Sequence, residues 1–201
     1  MMNLFWLCCI GYFIGSIPTG FLLMKFCKQI DVRDLGSHST GATNILRSGG
    51  KTLAMWTLLG DVLKGALFVL IAKAFSDDCW YLSAVFCCQI GHVYPIWLGF
   101  KGGKGVATSA GIFLVLSPLF ASISISIWFI LAKFVKISSI ASIALATSFT
   151  ALCSYGYFFK DTEFAVFIFS VITFCFLMLT HIDNIKRIIH HSEKIVTLNK
   201  E

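Results

Sequence analysis

The chain has 201 residues, 57% of them hydrophobic and 13% charged, with a formal net charge of +6. Soluble proteins average about 45–50% apolar and about 25% charged residues. The balance excludes a soluble globular domain, a disordered chain and a disulfide-framed secreted module, and leaves a multi-spanning integral membrane protein.

The first apolar run covers 4–24. Met1-Met2-Asn3 before it carries no basic residue, and the run is long enough to cross a bilayer, so it reads as a retained helix. Further runs cover 53–75, 80–98, 106–134, 137–159 and 164–181. The 106–134 run is long for one crossing and contains Ser117-Pro118. Proline removes a backbone donor and clashes with the preceding turn, which predicts two helices, 106–117 and 119–134. The first of these spans only about 18 Å. Seven helices with the N-terminus outside put Lys25, Lys28, Arg33, Arg47, Lys51, Lys101, Lys104, Lys133, Lys136, Lys186, Arg187, Lys194 and Lys200 on the cytoplasmic side, thirteen of sixteen cations. Asp77, Asp78, Asp161 and Glu163 fall opposite, with Lys160 as the one base. This satisfies the positive-inside rule, whereas six helices would strand the basic tail outside. The expected fold is therefore an all-α integral membrane protein of seven transmembrane helices, with a cytoplasmic C-terminus and one domain over 1–201.

Eight cysteines form no CxxC pair and lie mostly in apolar runs. They read as small hydrophobes, and neither a metal nor a cofactor is expected.

The long polar connection 25–52 contains Gly36-Ser37-His38-Ser39-Thr40-Gly41-Ala42-Thr43-Asn44-Ile45-Leu46-Arg47. Glycines, hydroxyls, an amide and an arginine together suit an anion. Asp61 and Lys64, three apart inside the second run, share a helix face and form either a structural ion pair or part of a site. Gly99-Phe100-Lys101-Gly102-Gly103-Lys104-Gly105 opens onto a helix, a general anion-binding arrangement. It is not a Walker A loop, because Gly105 follows Lys104. Ser138, Ser139 and Ser142 begin the sixth helix. His181, Asn184 and Arg187 recur every three residues after the last span, with Asp183 and Glu193 nearby. The topology brings these segments to one membrane face rich in donors and cations. No nucleophile–base pair stands out, and no histidine has an aspartate five residues later.

The ordered segments resemble the bacterial acyl-phosphate:glycerol-3-phosphate acyltransferase family (PlsY). They are Gly-Ser-Ile-Pro-Thr-Gly at 15–20, Gly-Ser-x-x-x-Gly-Ala-Thr-Asn-x-x-Arg at 36–47, Asp-x-x-Lys-Gly at 61–65, Gly-His-x-x-Pro-x-x-x-x-Phe-Lys-Gly-Gly-Lys-Gly-Val-Ala-Thr at 91–108 and His-x-x-Asn-Ile-x-Arg at 181–187. The resemblance implies transfer of a fatty acyl group from acyl phosphate to glycerol-3-phosphate, giving lysophosphatidate and phosphate, the first step of phospholipid synthesis. It implies a site facing the cytoplasm from a bacterial inner membrane, and a partner acyltransferase that makes acyl phosphate. It assigns Ser37, Arg47 and Lys104 to phosphate groups, with the N–H groups of Gly102 and Gly103, and adds Asn44 and Lys101 as substrate-binding residues. Ser139, or Ser138 beside it, and Asn184 would orient the acceptor hydroxyl, and His181 would shape its site. His38-Ser39 replaces the family's Gly-Asn, Tyr94 its Phe, and His191 a Gly before Ser192-Glu193. A transporter of an anionic lipid precursor is the second reading, because cationic glycine loops and a buried ion pair also suit an anion pathway.

Overall fold

A computed structural model describes residues 2–76, 78–159, 162–193 and 195. Asp77, Lys160, Asp161, Lys194 and Lys200, used in the charge reading, lie outside the described residues. The described residues form ten α-helices, two single 3₁₀ turns and no strand. The helices are α1 Leu4–Gly15, α2 Thr19–Lys28, α3 Ala42–Ser48, α4 Lys51–Phe75, α5 Tyr81–Val93, α6 Val106–Leu116, α7 Pro118–Phe134, α8 Ser138–Phe159, α9 Phe164–Thr180 and α10 Ile182–Ile189.

Every predicted apolar run contains helix, but two are unexpectedly broken at prolines: in 80–98 the α-helix ends at Val93 before Pro95 and a 3₁₀ turn follows at Ile96–Leu98. The run 4–24 is two helices, broken at Ser16–Pro18. Pro18 has no N–H to continue the ladder and its ring crowds the preceding turn. The same chemistry separates α6 from α7, where Pro118 occupies the first helical position, a place that tolerates it. By length and apolarity, Leu4–Lys28, Tyr81–Leu98 and Ser138–Phe159 are long enough to cross a bilayer. A fourth is α9 with α10, bent by 61° between them. α4 has 25 residues, about 37 Å of helix, but carries Asp61, Lys64 and Lys73. α6 and α7, at 11 and 17 residues, are shorter than one straight crossing. Large apolar side chains such as Trp6, Phe26, Leu119, Phe134 and Leu179 point outward, a surface suited to lipid rather than water.

The described residues from 2 to 112 pack as one unit and those from 113 to 195 as another. In the first, α1 lies against α5 at glycines. A Cβ on Gly15 would enter the Cys88 backbone, and one on Gly91 would meet the Tyr12 carbonyl. Between helices in lipid, association comes from close packing of small residues rather than from the hydrophobic effect. α4 meets the start of α6 in the same way, Gly65 beside the Thr108 carbonyl and Gly111 beside that of Val62. Across the same unit Gln89 donates to Ser109 at 3.1 Å. In the second unit the Phe113 and Phe149 rings stack at 3.7 Å, and Thr150 of α8 donates to the Ser170 carbonyl of α9 at 3.2 Å.

Candidate functional site

In the first unit, the two glycine-rich constellations form one loop cluster. Asn44, near the start of α3 and 2% exposed, organises the polar loop. Its Oδ1 accepts the Ser37 N–H at 2.9 Å. Its amide nitrogen lies 2.8–3.1 Å from the carbonyls of Val32, Leu35 and Ser39. Gly36 has φ +60°, and a Cβ there would strike Asn44 Oδ1. Asn44, expected among the substrate-binding residues, is thus occupied with backbone. It sets the position of Ser37, which is half-buried.

Arg33 links this loop to the second one. It forks Asp31 through Nε at 3.0 Å and a terminal nitrogen at 2.7 Å, and donates to the Leu98 carbonyl at 3.1 Å. The guanidinium holds the Asp31 carboxyl below its usual range. Thr40 N–H adds a long bond to the Gly102 carbonyl at 3.4 Å. Sequence reasoning used Arg33 only to orient the chain; the one local signal for its strap role was the Asp-x-Arg spacing.

The segment 95–105 doubles back on the end of α5. Gly102 N–H donates to the Val93 carbonyl and Gly103 N–H to the His92 carbonyl, each at 3.1 Å. The resemblance gave these two N–H groups to phosphate; in the structure they close the loop. A Cβ on Gly102 would hit the His92 carbonyl and the Pro95 ring, and one on Gly103 the His92 imidazole. Lys104 follows this pinned pair, half-buried, and Lys101 is exposed. Arg47 stands three residues after Asn44 on α3. Beneath the loop, Lys64 Nζ lies 2.8 Å from Asp61 Oδ1.

In the second unit, Glu193 gathers three expected residues. Its Oε1 accepts from Ser139 Oγ at 2.9 Å and from Asn184 Nδ2 at 2.6 Å. Its Oε2 accepts from Arg187 Nε at 2.7 Å. Burial alone would raise the Glu193 carboxyl, but the bonds from Arg187, Asn184 and Ser139 outweigh it and hold the group below its usual range. Ser139 is 4% exposed and Asn184 5%. The Ser139 hydroxyl reaches the Asn184 cluster, and the Ser138 carbonyl accepts from Ser142. His181, buried at the α9–α10 bend, turns Nδ1 to the Leu177 carbonyl at 2.8 Å. A carbonyl only accepts, so Nδ1 carries a proton in this contact. Glu193 stood in the sequence as an acid near His181 and Asn184, without its role as the shared acceptor of Ser139, Asn184 and Arg187.

The family model for glycerol-3-phosphate acyltransferase matches residues 5–191. The chain belongs to the glycerol-3-phosphate acyltransferase family. A relative of that name from Prochlorococcus marinus strain MIT 9515 is 42% identical over 196 residues, covering 95% of this chain and 96% of its own length. One from Brucella anthropi is 41% identical over 184 residues, covering 91% and 88%. Among solved structures, the glycerol 3-phosphate form of PlsY (YgiH), an integral membrane glycerol 3-phosphate acyltransferase, superposes with a TM-score of 0.88. It is 31% identical and 96% of each chain is covered. Its lysophosphatidic acid form gives 0.85 at 30% identity, covering 96% of this chain and 94% of its own.

Two departures from the family's residues fall at one kind of backbone position. His38 and His191, each read from the resemblance as replacing a glycine, have φ of 58° and 52°. This left-handed region costs an ordinary residue about 1–2 kcal/mol relative to glycine. Tyr94, a further departure, is exposed and contributes its carbonyl, which accepts from Tyr12 at 2.8 Å.

Proposed function

We propose that residues 1–201 work as one membrane-embedded acyltransferase domain that moves a fatty acyl group from acyl phosphate to the 1-hydroxyl of glycerol-3-phosphate. The products are lysophosphatidate and inorganic phosphate. The observation that carries this reading is the loop cluster of the first unit. Arg33 ties the first loop to the Leu98 carbonyl and Thr40 ties it to that of Gly102, and Asp31 in that loop is already paired with Arg33. That leaves a surface of cations, hydroxyls and close-approach glycines, which is chemistry for phosphate.

In this reading Ser37, Arg47, Lys101 and Lys104 hold phosphate groups. Gly102 and Gly103 let the loop sit close enough on α5 to present Lys104. Ser139 and Asn184 orient the acceptor hydroxyl, and His181 shapes its site. With its proton given to Glu193, Ser139 keeps lone pairs that accept an O–H.

The hydroxyl oxygen attacks the acyl carbonyl carbon and a C–O ester bond forms. The bond to the phosphate oxygen breaks, its electron pair staying on phosphate, and the hydroxyl proton passes to a substrate phosphate. Acyl phosphate is already activated, so positioning and charge stabilisation supply the rate without a protein base.

The same reading carries seven crossings with the N-terminus outside, in a bacterial inner membrane. The site then faces the cytoplasm, where a separate acyltransferase supplies acyl phosphate. α4 completes the count as a crossing whose charges face the protein interior, as intramembrane charges do. The transporter reading is not favoured, since the similar relatives carry the acyltransferase name. The test is turnover of palmitoyl phosphate with labelled glycerol-3-phosphate by the purified protein.

A further inference from the structure

We infer that His92 is a positioning residue for the Lys104 loop, and that the buried Asp61–Lys64 pair exists to fix it. The inference rests on the proposed phosphate role of that loop. It gives a use to two segments, 15–20 and 61–65, that the chemistry above leaves unassigned.

The contacts form a continuous chain. At the α1–α2 break the Ile17 carbonyl accepts from Lys64 Nζ at 2.9 Å. Lys64 Nζ lies 2.8 Å from Asp61 Oδ1, and the same oxygen lies 3.5 Å from His92 Nδ1. The other edge of the imidazole, at Nε2, fills the space that a side chain on Gly103 would occupy. The His92 carbonyl also takes the Gly103 N–H. His92 therefore holds Gly103 by ring and by backbone, and Lys104 is the next residue. Asp61 is 2% exposed, His92 6% and Lys64 7%.

Burying charge costs several kcal/mol per ion unless the partners are well placed, and an Asp–Lys contact within α4 alone joins no other element. Here the ammonium reaches out to the α1–α2 break and the carboxylate to α5. Both outer contacts fix the frame on which the glycine loop closes. Pro18 makes the first possible by breaking the helix beside an accepting carbonyl. Turning the imidazole away from Asp61 would move its far edge off Gly103, and Lys104 would lose its defined place.

The test is steady-state kinetics of the full chain in lipid nanodiscs, with KM measured for both phosphate substrates and Tm alongside. His92→Phe keeps a ring over Gly103 but removes the polar link. We expect KM for at least one substrate to rise about tenfold, kcat to stay within about threefold, and Tm to hold. His92→Asn, which keeps a donor near Nδ1, should lose less. Asp61→Leu/Lys64→Met replaces the pair by apolar groups and should raise the same KM, and it gives the reading if His92→Phe does not accumulate. Adding His92→Phe in that background should change KM by no more than about twofold, because coupled residues are not additive. Unchanged KM values, fully additive effects, or a fall in Tm and kcat at constant KM would overturn the inference. A wild-type protein inactive with palmitoyl phosphate would instead overturn the functional reading beneath it.

Discussion

Asn184 donates its side-chain amide to Glu193 across 2.6 Å, so the last described acid folds back on α10. Ser139 and Arg187 share the same carboxylate. Removing it takes the charged acceptor from three donors, two of them on residues less than a tenth exposed. Hydrogen bonds to a charged group contribute about 1.5–3 kcal/mol each, and Arg187, 39% exposed, counts for less. Glu193→Ala should lower stability by about 2–4 kcal/mol and acyl transfer with it, and Glu193→Gln should fall between. Thermal unfolding in detergent checks this, and an unchanged Tm for Glu193→Ala would contradict it.

The same carboxylate gives a pH dependence. Its native pKa lies below the usual value of 4.5, so over that interval the folded chain is ionised where the unfolded chain is protonated. The stabilisation is complete above pH 4.5 and is lost as pH falls through the native value. Tm of wild type and Glu193→Gln should differ at neutral pH and converge in acid. A constant difference at every pH would show that ionised Glu193 is not the source.

In the proposed function Arg47 and Lys104 hold phosphate. Removing one preorganised donor to developing charge typically costs about 10²–10³ in kcat. Arg47→Ala and Lys104→Ala should each reduce acyl transfer on that scale while the protein still inserts in the membrane. Near-normal turnover by either variant would remove that residue from the site.

His38 and His191 occupy left-handed backbone, and His38 also turns Nδ1 to the Arg33 carbonyl at 2.7 Å. Comparing glycine with alanine at each position cancels the lost imidazole and leaves only the Cβ. His38→Gly should be more stable than His38→Ala, and His191→Gly than His191→Ala, by about 1 kcal/mol in each pair. Equal Tm values within a pair would mean that the position does not hold its left-handed geometry.

The helices were legible because apolar runs of span length have few other solutions in lipid. The break at Pro118 was read and the one at Pro18 was not, although one rule governs both, since the run around Pro18 has an ordinary span length. Within the site, cations and glycines announced an anion. An amide such as Asn44 carries no such mark: its donors satisfy backbone carbonyls as well as a ligand, and only the fold of Val32–Ser39 around it decides. Glu193 was hidden for the opposite reason. A lone acid after a basic helix looks solvated until the chain turns back at His191. Ser138 and Ser139 stood equal in the sequence because one helical residue is 100° of rotation, which only packing fixes.

The most direct measurement is product formation by the purified protein in nanodiscs with labelled glycerol-3-phosphate and either palmitoyl phosphate or palmitoyl-CoA. Labelled lysophosphatidate with an equivalent release of inorganic phosphate, from palmitoyl phosphate only, is the predicted result. No lysophosphatidate from palmitoyl phosphate, or equal turnover with palmitoyl-CoA, would contradict the account.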